Sequence, residues 1–355
     1  MTYTPNKAIH PGHAIARELE RAGMTQKNLS DRTGLSEKHI SQIINGEASF
    51  SVETALLLEN ALGGSAAFWI NLEKNYQETK ARIERTALLR KEVSLLAEFP
   101  YVDLVKRKCV PKETDQEKRV ENLWKFFGVN SLNSVQLTEA IAYRKKAGVV
   151  VKKGPIAAWL RCGELDSREN KVAQFSESIL KQSLGKLRAL TLKNPEVFSG
   201  ECCEILAESG VSLVYVPHFA GTGVSAAVRW FADKPLIQLS LLGAYADIFW
   251  FNLFHEIGHL LFHGKKERFI EFDNRDLRAT QEKEKEADLF ATNQLIPPES
   301  YKQFTNVGDF TRKAVSEFAR TQGIHPGIVE GRLCFERKLS WSKPLGFRSR
   351  LRFSE

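Results

Sequence analysis

Cysteine is scarce and never paired in a metal-binding spacing. The five residues Cys109, Cys162, Cys202, Cys203 and Cys334 are odd in number and show no C-x-x-C pattern. That argues against both a disulfide framework and a cysteine-built zinc site. Also missing is an uninterrupted apolar run of membrane length. The greasiest stretch, LIQLSLLGAYADIFWFNLF, is broken by Gln238, Asp247 and Asn252, and reads as buried strand and helix. The opening MTYTPNKAIH has no apolar run behind a basic start, so no secretory leader, no membrane partner and a cytoplasmic location are expected. Low-complexity tracts are absent, which excludes a fibrous or wholly disordered chain.

What is present is ordinary globular composition, with 43% hydrophobic and 26% charged residues. A length of 355 residues suits two or three domains, each able to bury a core. The net charge of +8 would suit an acidic partner, but its distribution weakens that inference. The first 90 residues carry 11 Lys and Arg against 10 Asp and Glu, whereas Gly331 to Glu355 carries 7 against 2. Any DNA-binding role must therefore rest on motif.

Between Gly12 and Gly63, Ile15, Leu19, Leu29, Leu35, Ile40, Ile43, Ile44, Val52, Ala55, Leu56 and Leu62 fall at helical spacings broken by short polar turns. Thr25 suits an N-cap for a helix from Gln26 to Arg32, and Gly34 suits the left-handed turn that ends it. Ser36 then caps a helix from Glu37 to Ile44. That helix buries Ile40, Ile43 and Ile44 and leaves Lys38, His39, Ser41, Gln42 and Asn45 on its other side. In a helix-turn-helix such a second helix enters the major groove, while Thr25 and Gln26 reach phosphates. Pattern alone does not separate this from a small helical bundle with a solvated face.

Resemblance separates them. HPG at His10, GMTQ at Gly23, GLSEKHIS at Gly34, INGE at Ile44, TALLLENALG from Thr54 and FWINLEKNYQ from Phe68 together resemble HigA-type antitoxins of the phage-repressor (XRE) helix-turn-helix family. The resemblance implies DNA contacts from Thr25, Gln26, Ser36, Lys38, His39, Ser41, Gln42 and Asn45, and double-stranded operator DNA as partner. It also implies a homodimer, with Phe68, Trp69, Ile70 and Leu72 closing the helical core and aiding association.

From Glu78 to Lys193, leucines and aromatics recur at helical periods among charged residues, with no repeat of fixed period. No chemistry shows in this stretch. From Gly200 the texture changes: CCEILAESG reads as a helix, VSLVYVPHF, SAAVRWFAD and PLIQLSL as strands, and WFNLFHEIGHLLF as an apolar helix. In HEIGH, His255 and His259 lie one turn apart on one face, close enough to share a zinc ion, and Glu256 is placed to act on water. Two imidazoles and a carboxylate on so apolar a helix would be costly to bury without a purpose.

A catalytic zinc usually takes three protein ligands. His263 lies on the same face, but about 12 Å along the helix from His255. In EKEKEADLFATNQLIPP, Glu286 shares a helical face with Leu289, Phe290 and Asn293 and is the better candidate. Glu282 and Glu284 are assigned to a solvated charge run, and Asp288 to a role orienting a ligand histidine. HEIGHLLFH followed by EKEADLFATNQLIP resembles the ImmA/IrrE family of zinc metallopeptidases. That resemblance implies His255, His259 and Glu286 as Zn2+ ligands, Glu256 as general base, and PLIQLSL as a strand beside the cleft. An extended substrate is expected to pair along that strand's edge. Tyr215, His218 and His263 are candidates for a second oxyanion donor.

The expected architecture is multidomain: an all-α helix-turn-helix domain over 1–78, a helical connecting region over 79–195, an α+β zincin-like metallopeptidase domain over 196–300, and a helical basic tail over 301–355. The expected function is an operon repressor carrying a zinc endopeptidase that cuts a repressor, a toxin or itself. The alternative is a HigA-like repressor or antitoxin whose peptidase-like domain binds metal or partner without proteolysis.

Overall fold

Helix caps decide the layout of the N-terminal region. The computed structural model describes residues 7–135, 142–145, 153–220, 222–231, 233–263 and 277–352, with backbone alone at 142–145 and 277–281. The first helices are α1 (Gly12–Arg21), α2 (Gln26–Thr33), α3 (Glu37–Asn45), α4 (Val52–Leu62) and the long α5 (Ala66–Glu92). Thr25 and Asn28 form a reciprocal capping box at the start of α2, and Gly34 ends it at φ +72°. Ser36, Ser51 and Ser65 each accept a backbone N–H at the start of α3, α4 and α5. Each such cap stabilises its helix by about 1 kcal/mol. The helices enclose Ile15, Leu19, Leu29, Ile40, Ile43, Phe50, Ala55, Leu58 and Trp69. Trp69 is core and donates its indole N–H to the Gly63 carbonyl at 3.0 Å, while its neighbour Phe68 is exposed.

The chain divides into two compact units, Met1–Ser94 with Asp115–Glu121, and Leu95–Thr114 with Asn122–Glu355. Within the first, Arg90 bonds Glu117 at 2.8 Å and Arg85 bonds Glu121 at 3.3 Å, joining α5 to the start of α7 (Gln116–Phe127).

The second unit holds α6 (Tyr101–Lys106), β1 (Ala142–Lys145), α8 (Lys153–Ser167), α9 (Glu177–Ala189), α10 (Pro195–Glu208), β2 (Ser212–Tyr215), β3 (Val224–Phe231), β4 (Lys234–Leu239), α11 (Ala246–Phe262), α12 (Leu277–Leu295), α13 (Pro298–Val307), α14 (Arg312–Gln322) and α15 (Pro326–Phe335). The stretch read as a helical connector thus contributes a strand as well as helices. The sheet order is β1-β3-β4-β2, with β4 antiparallel to β3 and parallel to β2. β4 therefore has a neighbour on each side, and the expected edge pairing of substrate along Leu236 to Leu241 is not available. The sheet's edges belong to β1 and β2.

Side chains alternate across the sheet. Leu213, Ala226, Val228, Ile237 and Leu239 join Phe249, Trp250, Leu253, Phe254 and Ile257 of α11 in one core. On the opposite face, Gln238 Nε2 donates to the Trp159 carbonyl at 2.7 Å and Arg229 Nη2 to the Leu160 carbonyl at 2.6 Å, so α8 is docked by hydrogen bonds from buried polar side chains. A Cβ at Gly163 would fall on the Gln238 side chain, and this position sets the close approach.

The basic tail is helical only to Phe335. Beyond it, the buried Glu330 carboxylate accepts backbone N–H groups from Leu345, Gly346, Phe347 and Arg348, and Arg348 pairs with the half-buried Asp247 at 3.0 Å. The tail is thereby tied to the start of α11. Among the described residues, no helix is long and apolar enough to cross a membrane.

Candidate metal centre

α11 and α12 approach closely because small residues face each other. A Cβ on Gly258 would lie 3.3 Å from Ala287 Cα and 3.1 Å from Phe290 Cδ1, and Ala287 and Ala291 are wholly buried. With Ala287 and Ala291 set against α11, the helical repeat places Glu284 and Asp288 on the same side.

His255 and His259, one turn apart on α11, point their Nε2 atoms at each other at 3.0 Å. Glu284 lies 3.3 Å from His255 Nε2 through one oxygen and 3.4 Å from His259 Nε2 through the other. These three are the group among the described residues able to hold a metal ion. Behind it, Asp288 Oδ1 lies 2.9 Å from His255 Nδ1. His263 Nδ1 lies 2.9 Å from His259 Nδ1, and His263 Nε2 lies 3.2 Å from Glu286 Oε2. Glu256 is 0% exposed, immediately beside His255.

The geometry corrects the expectation for Glu286. Its side chain is 56% exposed and reaches His263, not the paired histidines, while Glu284, assigned by sequence to a charge run, takes the place expected for it. The apolar residues that pointed to Glu286 mislead, since Leu289 is itself exposed. The buried alanines mark the packed face, and Glu284 lies one turn before Asp288 on it. Asp288 stands where a histidine-orienting carboxylate belongs. Of the candidate oxyanion donors, Tyr215 donates to the Ser199 carbonyl at 3.0 Å, His218 is exposed, and His263 backs His259.

The electrostatics keep Glu284 ionised. Burial alone pushes its carboxyl up, but where the two imidazoles are protonated, hydrogen bonds from His255 and His259 and their charge outweigh this and hold it down to about 2.

Two family models match the chain: a helix-turn-helix over residues 15–69 and an IrrE N-terminal-like domain over residues 245–333. The chain joins a helix-turn-helix domain to an IrrE N-terminal-like domain. The second match runs through α13 and α14 and most of α15, past the boundary expected at residue 300. The chain is 28% identical over 82 residues to virulence-associated protein I of Dichelobacter nodosus, covering 23% of this chain and 76% of that one. It is 30% identical to a solved HigA-family addiction module antidote protein from Coxiella burnetii, over 24% of this chain and 95% of that one, at a TM-score of 0.23. A solved antidote protein of a plasmid maintenance system from Nostoc punctiforme is 28% identical, over 26% of this chain and 96% of that one, at the same TM-score of 0.23.

In the helix-turn-helix domain, Thr25, Gln26, Ser36, Lys38 and Asn45 are exposed, and His39, Ser41 and Gln42 are half-buried along α3 opposite Ile40 and Ile43. Two of these side chains already have local work: Thr25 and Ser36 cap α2 and α3.

Proposed function

We propose that the IrrE N-terminal-like domain is a zinc-dependent endopeptidase and that the helix-turn-helix domain binds operator DNA as a homodimer, so that one chain represses an operon and cuts a regulatory protein. The observation that carries the peptidase reading is the convergence of His255, His259 and Glu284, backed by Asp288.

The donor set fits zinc. With His255 Nδ1–H donating to Asp288, and His259 Nδ1–H donating to a His263 that itself donates to Glu286, both Nε2 atoms carry lone pairs. Two lone pairs and a carboxylate then face one another, an arrangement that calls for a cation among them. Their separations of 3.0, 3.3 and 3.4 Å resemble the edge of a tetrahedral zinc site, about 3.3 Å for bonds of about 2.05 Å. Two nitrogens and one oxygen, with a fourth position left for water, are the donors of catalytic zinc.

When bound there, zinc supplies the Lewis acidity that makes water a nucleophile near neutral pH. Glu256, buried beside His255, would serve as the proton carrier, accepting a proton from the attacking water and giving it to the departing amide nitrogen. Asp288 and His263 hold the two imidazoles in the tautomer and orientation that keep Nε2 available. The substrate is a protein segment: a repressor, a toxin partner or the chain itself.

The test is zinc content together with cleavage of co-expressed operon-neighbour proteins by wild type and Glu256→Gln. One zinc per chain with cutting lost in Glu256→Gln supports the peptidase. Bound zinc with no cutting of any neighbour supports a repressor or antitoxin whose C-terminal domain only binds metal.

A further inference from the structure

Cys109 and Cys162 stand apart from the other three cysteines. Their sulfurs are 3.4 Å apart, across 53 residues of chain. Cys162 is buried on α8, whereas Cys109 is half-exposed in the turn after α6. That turn is pinned at several points. Lys108 adopts a left-handed conformation at φ +60°, Arg107 pairs with Asp166 of α8, and the Tyr101 hydroxyl donates to the Pro111 carbonyl at 2.9 Å. The contact is thus built by the fold and does not depend on a swinging side chain.

The two thiols are unlike. A hydrogen bond from the Cys162 thiol holds the Cys109 thiol down to about 7 against its burial, with help from the Arg107 guanidinium, while the same pairing and burial push Cys162 far up. Burial pushes the thiols of Cys202, Cys203 and Cys334 up as well. Reactivity follows the thiolate and its accessibility, so Cys109 is the attacking sulfur and Cys162 the resolving one.

We propose that Cys109 and Cys162 are a reversible oxidation site at which a hydroperoxide converts the two thiols to a disulfide. The Cys109 thiolate attacks one peroxide oxygen, the O–O bond breaks, and Cys109 sulfenic acid forms as hydroxide leaves. The Cys162 sulfur then attacks the sulfenic sulfur, the S–S bond forms, the S–O bond breaks, and the leaving oxygen departs with a proton as water. Two electrons pass from the sulfurs to the peroxide. Bringing the sulfurs from 3.4 Å to bonding distance takes roughly 1.4 Å of closure. The bond ties the turn after α6 to the helix that docks on the sheet through Gly163, Gln238 and Arg229.

The test uses the full chain. Reduced protein is treated with hydrogen peroxide, free thiols are alkylated, and the digest is read by mass spectrometry with and without dithiothreitol. The expected result is a Cys109–Cys162 linked peptide that reductant removes and that is absent from Cys109→Ser. In Cys162→Ser, checked for native circular dichroism, dimedone traps Cys109 as sulfenic acid. In untreated protein near pH 7, Cys109 alkylates about tenfold faster than Cys203. Cys109 driven to sulfinic acid without a link, linkage through Cys202, Cys203 or Cys334, or a Cys109 no more reactive than Cys203 overturns the proposal. If Cys162→Ser does not fold, the linked peptide in wild type still decides the matter.

Discussion

Replacing Glu284 by Gln and, separately, Glu286 by Gln discriminates two carboxylates that differ by one residue between them. Apparent zinc binding in four-ligand structural sites is worth about 10–16 kcal/mol, so a single ligand carries about 3 kcal/mol. At 1.4 kcal/mol per tenfold, Glu284→Gln is expected to weaken zinc roughly a hundredfold. Glu286→Gln removes a charge that is 56% exposed and two steps behind His259. Its amide oxygen can still accept from His263, so the loss is expected to stay below about tenfold. The assay is a competition titration of metal-free protein against a chromophoric chelator near neutral pH, with circular dichroism to show that both variants keep their helices. A hundredfold loss in Glu286→Gln with Glu284→Gln near wild type would refute the assignment and restore the ligand set expected from sequence.

Other consequences follow from the same geometry. Asp288→Ala and His263→Ala are each expected to cost about 10–100-fold in zinc affinity, read in the same titration, because each removes the acceptor behind a ligand imidazole. Gly258→Val should separate α11 from α12, since its side chain would collide with Ala287 and Phe290, and should lower both melting temperature and zinc content. In the helix-turn-helix domain, Leu29→Ala is expected to destabilise by about 2–5 kcal/mol, measured by urea unfolding. Lys38→Ala is expected to weaken operator binding across sequences and reduce the salt slope by about 1, whereas Gln42→Ala should relax discrimination at one base pair by about 1–3 kcal/mol, both read by fluorescence anisotropy. His10 accepts the Gly12 N–H at Nδ1, and burial first of all holds its pKa below 6.5. The unfolded chain therefore takes up a proton that the folded one resists, and stability falls as pH drops through 6.5. His10→Asn should flatten that slope in melting curves taken across the range.

Much of the N-terminal domain was legible because its signals are local. Thr25, Gly34 and Ser36 act on their own helix ends, and Ile40 and Ile43 repeat with the helical period, so neither needs knowledge of distant residues. The HEIGH pair was legible for the same reason. What was not legible depends on partners far along the chain. The strand Ala142–Lys145 lies in a stretch read as helical and pairs with Val224–Val228, a contact no local pattern announces. β4 looked available for a substrate edge because its flanking strands are fixed by the sheet order, not by its own sequence. The end of the basic tail is shaped by Glu330, whose carboxylate gathers four backbone N–H groups at once.

The choice between Glu284 and Glu286 turns on which face of α12 is buried, and the sequence holds two conflicting markers of it. Leu289 marks one face by hydrophobicity, and Ala287 and Ala291 mark another by size. Hydrophobicity is the stronger cue where a helix packs at ordinary distance, because larger side chains bury more area. At a close crossing the order reverses: two backbones approach only where both present small side chains, and Gly258 on α11 supplies the matching gap. The glycine inside the histidine motif was therefore the missing signal. It requires a small residue opposite, Ala287 meets that requirement, and the carboxylates three residues before and one residue after Ala287 then face the histidines. Glu284 and Asp288 satisfy that condition together, and Glu286 does not.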